Sequence, residues 1–220
     1  WFFAETYFFR QLIDAVRYWQ TEQDPFAPIK ADALDTSVLE QVEAGLDAQS
    51  LHWEEQLGRL FAGALWGNRA DLSHPEALSH GLAVVQDDLL IDERADAVRQ
   101  VISGTGTVHI IADNVGAELA NDLVLIHGLL QHDIPVTLHL KMHPTYVSDA
   151  TVRDVHDLLG WLRQQGKPPH QKMVSDLYTM LEQDRWRLAP DFYWNSSRFL
   201  NDMAGRVRAS LSNARLVIVK

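Results

Sequence analysis

The run His109-Ile110-Ile111-Ala112-Asp113-Asn114-Val115-Gly116-Ala117-Glu118 sets a carboxylate and an amide at the end of a short apolar, β-like stretch, and Asp122 follows Glu118 one helical turn later. Carboxylate and amide oxygens are the donors that hard divalent cations such as Mg²⁺ and Mn²⁺ prefer. Asp113-Asn114 suits such an ion. By itself the dipeptide favours the capping of the helix that follows, because both residue types cap helices. Gly116 fits either role, since it allows close backbone approach. Glu118, in the first helical turn, would face a metal or a substrate; the other reading is an acid placed favourably at the positive end of a helix. Asp122 reads as a residue that orients a ligand or a lysine. A second β-like run, Val136 to Leu140, leads to Lys141 and then to Val147-Ser148-Asp149. Asp149 opens a helix in which Thr151 and Asp154 resemble a capping box, so it reads as a cap, a ligand or both. Lys141, and Lys220 at the end of the last strand, would neutralise a phosphate oxygen or a leaving group, or else stand as solvated rim lysines.

These residues need elements to hold them. Residues 1–103 read as a helical region. Trp1, Glu5, Phe8, Phe9, Leu12, Val16 and Trp19 recur at helical spacing, and Asp24-Pro25-Phe26-Ala27-Pro28 breaks that helix. Ser37 to Gly45, Leu51 to Trp66 and Asp92 to Ile102 are further amphipathic helices. Trp1, Trp19, Trp53 and Trp66 are expected in the core of this region. Gly67 to Pro75 is a polar loop carrying Asn68, Arg69 and Asp71. Ser103-Gly104-Thr105-Gly106-Thr107 marks the boundary, and residues 104–220 alternate strand and helix: strands 108–112, 136–140 and 214–219, helices 117–131, 151–165 and 173–183. Such alternation predicts an α/β fold, a parallel sheet covered on both faces, with right-handed crossovers that bring Asp113, Asn114 and Lys141 to one edge. Gln164 to His170 reads as a surface loop.

Composition narrows the functions open to the chain. Its 220 residues carry a formal net charge of -11, which argues against nucleic acid and against an anionic membrane surface as partners. A small phosphorylated metabolite remains accessible if a divalent cation neutralises it locally. No cysteine is present, which excludes disulfides, thiolate catalysis and zinc-thiolate sites and suits a cytoplasmic protein. The ten histidines form no His-x-x-x-His or His-Glu-x-x-His pattern, and His109, His139 and His143 read as packed or rim residues. Gly-x-Ser-x-Gly, Walker and Gly-x-Gly-x-x-Gly patterns are likewise missing. The start at Trp1-Phe2-Phe3-Ala4 and the end on an apolar run lead us to expect that both termini are incomplete.

Taken in order, several blocks resemble the metal-dependent damage-control phosphatases, also known as acidic-residue methyltransferase-like domain proteins, and within them the subgroup acting on sugar phosphates. The blocks are Trp1 to Tyr7, Leu65 to Ser73, Asp113 to Glu118 with Asp122-Leu123, Leu138 to Lys141 running to Val147-Ser148-Asp149, Tyr193-Trp194-Asn195-Ser196, and Leu216 to Lys220. The resemblance implies a three-layer α/β/α domain with a Rossmann-like sheet, preceded by helices. It implies a divalent ion (Mn, Mg, Co or Ni) held by Asp113, Asn114 and Asp149, with Asp113 and Asp149 in catalysis. Glu118 matches an acid of the substrate pocket, and Asn68 and Asp71 match a loop reaching over the site. Lys220 matches the first residue of a substrate loop that continues in the family as Gly-Asp-x-Asn-Tyr-Arg; this sequence stops before that continuation and lacks the family's later basic motif. The expected activity is metal-assisted hydrolysis of small phosphorylated metabolites such as fructose phosphates. The alternatives are a carboxyl methyltransferase using S-adenosylmethionine, for which no Gly-rich cofactor loop is evident, and a non-catalytic metabolite-binding protein.

Overall fold

The computed structural model describes residues 1–66 and 91–220. The helical region comprises α1 (Phe2–Ala15), α2 (Tyr18–Thr21), α3 (Ala27–Asp32), α4 (Thr36–Asp47), α5 (Trp53–Trp66) and α6 (Arg94–Ser103). The first helix ends earlier than its periodicity suggests: Arg17 turns left-handed at φ 55°, ahead of the Asp24–Pro28 break. Asp35 caps α4 by accepting from the Ser37 amide at 2.8 Å, one of the orphan donors of a helix start. Residues 67–90, and with them Asn68 and Asp71, lie outside the described residues.

Four strands follow, β1 (Thr107–Ile111), β2 (Val136–Lys141), β3 (Trp186–Asp191) and β4 (Ala214–Val219), joined by α7 (Ala117–Gln131), α8 (Val152–Gln165), α9 (Pro168–Glu182) and α10 (Gly205–Leu211). All pair in parallel in the order β3-β2-β1-β4. Of these strands β3 carries no clear sequence signal. Its Pro190 removes a ladder donor, and this is tolerated because β3 lies at the sheet edge. The expected surface loop through His170 is also shorter than its composition suggests. Pro168 and Pro169 open α9, where a missing amide hydrogen costs nothing.

One face of the sheet, with Val108, Ile110, Leu138, Leu140, Trp186 and Ile218, is buried under α7, α8 and α9. The crossover 192–213, with α10, returns over the other face from β3 to β4 and sets Trp194 edge-on against His139 at 5.3 Å. The result is a three-layer α/β/α arrangement. Helix α7 is buried all round from Glu118 to Leu130, wedged between the sheet and α4, α5 and α9. Residues on both sides of position 104 therefore share one core, Val38, Val42, Leu57 and Phe61 packing with Leu119, Leu123 and Ile126. Two of the tryptophans expected in that core are not there: Trp1 is 97% exposed and Trp19 is exposed. Trp53 is half-buried and stacks on His132. Helical periodicity identifies an apolar stripe but not what covers it, and the buried aromatic side chains of the helical region are Phe26 and Phe61 rather than the outer tryptophans. Among the described residues, no helix is long and apolar enough to cross a membrane.

Candidate metal and phosphate site

The strand order reverses at β1: the chain leaves β1 towards β2 on one side, and β4 arrives on the other. Ligand crevices of open parallel sheets form at such points, outside the carboxyl ends of the strands. By the registers Ile111↔Val219, Ile111↔His139 and Lys141↔Asp191, β1 and β4 end together two residues short of β2 and β3, and Asp113, Lys141 and Lys220 emerge on this edge.

Two loops meet there backbone to backbone. The Ala150 amide donates to the Asp113 carbonyl at 2.7 Å and the Val115 amide to the Ser148 carbonyl at 2.8 Å, flanking an antiparallel bridge between Asn114 and Asp149. The Ser148 hydroxyl donates to Asn114 Oδ1 at 2.6 Å. This pairing places Asp113, Asn114 and Asp149 side by side. It also removes the capping alternatives. The N-cap of α7 is Gly116, with no side-chain cap, and the N-cap of α8 is Thr151, which forms the reciprocal box with Asp154. Neither Asp113, Asn114 nor Asp149 is occupied in holding a helix end. Gly116 adopts φ 74° and ψ -137°, closed to residues with a Cβ, and a Cβ there would sit 3.1 Å from the Ala33 carbonyl oxygen. The glycine thus sets the angle at which α7 leaves the site.

Acids and lysines interlock around this pair of loops. Lys141 Nζ lies 2.9 Å from Asp149 Oδ2. Lys220 Nζ lies 3.2 Å from Asp122 Oδ1 and 3.5 Å from Glu118 Oε1, and also donates to the Ala64 carbonyl. Asn114 Nδ2 bridges Asp113 Oδ2 and Glu118 Oε2, at 3.1 Å to each. Neither lysine is a solvated rim residue. Burial pushes the Asp149 carboxyl up to about 6, with Asp113 adding repulsion and Lys141 opposing it. Burial likewise raises Asp122 to about 7 and shifts Glu118 upward, both against the pull of Lys220. Four carboxylates (Asp113, Glu118, Asp122, Asp149) against two ammonium groups (Lys141, Lys220) leave an excess of two negative charges when all are ionised. A divalent cation balances that excess, and the donors are oxygens, so the residues fit such an ion. Among the described residues no three His, Asp or Glu side chains gather to hold an ion by themselves. Two carboxylates and an amide leave coordination positions for water or phosphate oxygen, as Mg²⁺-type sites commonly do.

Sequence reading assigned no role to several supporting residues. Asn195 accepts from the Met142 amide at 2.7 Å and donates to the His143 carbonyl at 2.9 Å, fixing the chain just beyond Lys141. Lys30, buried on α3, reaches Asp24 at 3.0 Å and Asp154 at 2.8 Å. Asp154 in turn accepts from the Thr151 amide, which steadies the segment after Asp149. Tyr146 packs beside Lys141, whose Nζ is 5.9 Å from its ring centre. Only tertiary contacts give Asn195, Lys30 and Tyr146 these roles.

The sequence profile of the damage-control phosphatase ARMT1-like domain matches residues 1–220. The chain belongs to this ARMT1-like domain family. Similar proteins include the damage-control phosphatase ARMT1 of Macaca fascicularis, 24% identical over 262 residues, and that of Homo sapiens, 23% identical over 262 residues. Each comparison covers 100% of this chain and 57% of the relative, so the chain spans little more than half the length of the curated relatives it matches. The ARMT1 of Rattus norvegicus is 26% identical over 204 residues, covering 80% of this chain and 45% of the relative. Among solved structures, a DUF89 family protein from Pyrococcus horikoshii superposes with a TM-score of 0.55 at 19% identity, covering 94% of this chain and 65% of that one. That likeness shows that the ARMT1-like chain and the archaeal protein share a fold.

Proposed function

We propose that this chain carries a metal-dependent phosphomonoester hydrolase site acting on small phosphorylated metabolites, sugar phosphates such as fructose phosphates among them. The observation that carries the reading is the backbone pairing of the 113–115 and 148–150 segments, which sets Asp113, Asn114 and Asp149 together beside Lys141 and Lys220. Membership of a family named for damage-control phosphatases supports the reaction class. Asp113, Asn114 and Asp149 would hold the ion, with Mn²⁺, Mg²⁺, Co²⁺ and Ni²⁺ as candidates. When bound, a divalent ion supplies Lewis-acid polarisation of a phosphoryl group and lowers the pKa of an attacking water.

The chain's own side chains supply the rest. Phosphoryl transfer needs positioning and charge neutralisation more than covalent help from the protein. Lys141 and Lys220 present ammonium groups at two strand ends and are fixed there by their carboxylate partners, so little reorganisation is needed when phosphate arrives. Asp113 is half-exposed and reachable from the crevice. It acts either as the base that takes the proton of an attacking water or as a nucleophile. In the second case its carboxylate oxygen bonds to phosphorus as the sugar oxygen leaves, and water then hydrolyses the aspartyl phosphate. Glu118 and Asp122 keep Lys220 in place. This reading puts the protein in the cytoplasm, where phosphorylated sugars occur.

The test is release of inorganic phosphate from fructose phosphates by the purified chain with each of the four metals. Asp113→Ala should abolish release. A variant that keeps both full phosphate release and full Mn²⁺ binding would sink the assignment, and Mn²⁺ binding by the wild type without any turnover would point to a non-catalytic binding protein.

A further inference from the structure

Tyr146 and Val147 are consecutive non-glycine residues with positive φ, at 46° and 68°. A β-branched residue there is a genuine outlier, and such strain persists only where surrounding contacts impose it. The Ser148 amide donates to the Tyr146 carbonyl two residues back at 2.8 Å, closing a tight three-residue turn around Val147. Ser148 ends this turn, its hydroxyl and carbonyl grip Asn114 and Val115, and Asp149 follows directly.

The contacts that hold the turn come from α1. Thr6 donates to the Phe2 carbonyl at 2.9 Å, which leaves its oxygen to accept from the Tyr146 hydroxyl, and the two side chains meet. Phe9 meets the Tyr146 ring edge-on at 5.1 Å and Phe2 stacks on it at 6.4 Å. Lys141, the partner of Asp149, also lies within reach of this ring. Tyr146 thus stands between α1 and the Lys141–Asp149 pair.

We propose that Tyr146 is a positioning residue: docked on Thr6, Phe2 and Phe9, it braces the strained 146–147 turn and so keeps Ser148 and Asp149 paired with the Asp113–Val115 loop. The geometric part stands on the contacts alone; its consequence for metal affinity rests on the functional reading above.

Amide hydrogen exchange of the metal-free chain tests the brace directly. Thr6→Val and Tyr146→Leu should each speed exchange at Val115 and Ala150, the amides that join the two loops, by about tenfold, the effect of one lost hydrogen bond. The Ile110 amide in β1 should not change, and Thr6→Ser, which keeps the hydroxyl, should restore the wild-type rates. Unchanged rates at Val115 and Ala150, or equal acceleration at Ile110, would overturn the proposal. Calorimetric titration with Mn²⁺ is the second arm: Thr6→Val should weaken binding severalfold and Thr6→Ser should not. A wild-type chain that binds no Mn²⁺ would remove the functional reading while the exchange data still decide the brace.

Discussion

Lys220 and Asp122 form an ion pair at 3.2 Å with side chains only 2% and 1% exposed, at the junction between the last strand and the central helix. An acid and a base this deeply buried depend on each other, because either one left alone is an uncompensated buried charge. Lys220→Met should therefore destabilise the chain by roughly 3 kcal/mol at pH 8. The loss should shrink on acidification. The Asp122 carboxyl, raised to about 7 even with the lysine present, takes up a proton and becomes neutral. A raised carboxyl adds stability that is complete below its unfolded value and fades as pH rises through the folded one. Urea denaturation of wild type and variant at pH 5 and pH 8 checks this, and a penalty independent of pH would mean that packing, not charge, is what the variant loses.

Metal binding should release protons. Asp149 is raised to about 6, so below that pH an ion must displace a proton to reach its oxygen. Mn²⁺ affinity should rise up to about tenfold per pH unit below pH 6 and level off above pH 7. Calorimetry at several pH values, in buffers of different ionisation enthalpy, measures both quantities. Asp149→Asn should flatten the profile and weaken binding.

A second effect of pH on stability has the opposite sign to that of Asp122. His109 Nδ1 and His139 Nε2 share a hydrogen bond of 2.9 Å under the sheet, and burial with mutual repulsion holds His139 down to about 4. A depressed histidine favours folding above its unfolded pKa of about 6.5, and that stability is lost as pH falls towards 4. The loss should amount to roughly 2–3 kcal/mol. His139→Gln should remove most of this acid slope relative to wild type, measured by thermal unfolding between pH 7 and pH 4. A variant with the same slope would show that other groups drive acid unfolding.

Gly116→Ala should cost about 1–3 kcal/mol, because the backbone conformation at this position disfavours a Cβ and Ala33 would have to give way slightly to admit one. Relief by rotation of the turn would also re-aim Glu118. A variant that keeps its melting temperature would show that the backbone can take another path into α7.

The layered architecture was legible in the sequence because its signals are local. Apolar runs of strand length, the helical periodicity of α7 and α8, and the Thr151/Asp154 box each depend on neighbours within a few residues. The strand β3 was not legible, because an edge strand bearing Pro190 needs neither full alternation nor a full set of donors. The exposure of Trp1 was hidden for a related reason: periodicity gives an apolar face without naming its partner.

The same division runs through the site. By itself the sequence determined the chemistry on offer, oxygen donors at one strand end and lysines at two others, with no thiol and no zinc-type histidine motif. It left Asp113-Asn114 poised between helix cap and metal ligand, since an isolated dipeptide serves either purpose. Tertiary structure removed the cap reading. Placing β4 beside β1 carried Lys220 into the acids of α7, and the pairing of the 113–115 and 148–150 segments joined Asp149 to Asn114, leaving Gly116 and Thr151 to cap the helices. Strand order and loop pairing join residues far apart in the chain. Their free energy lies in contacts that no local window contains.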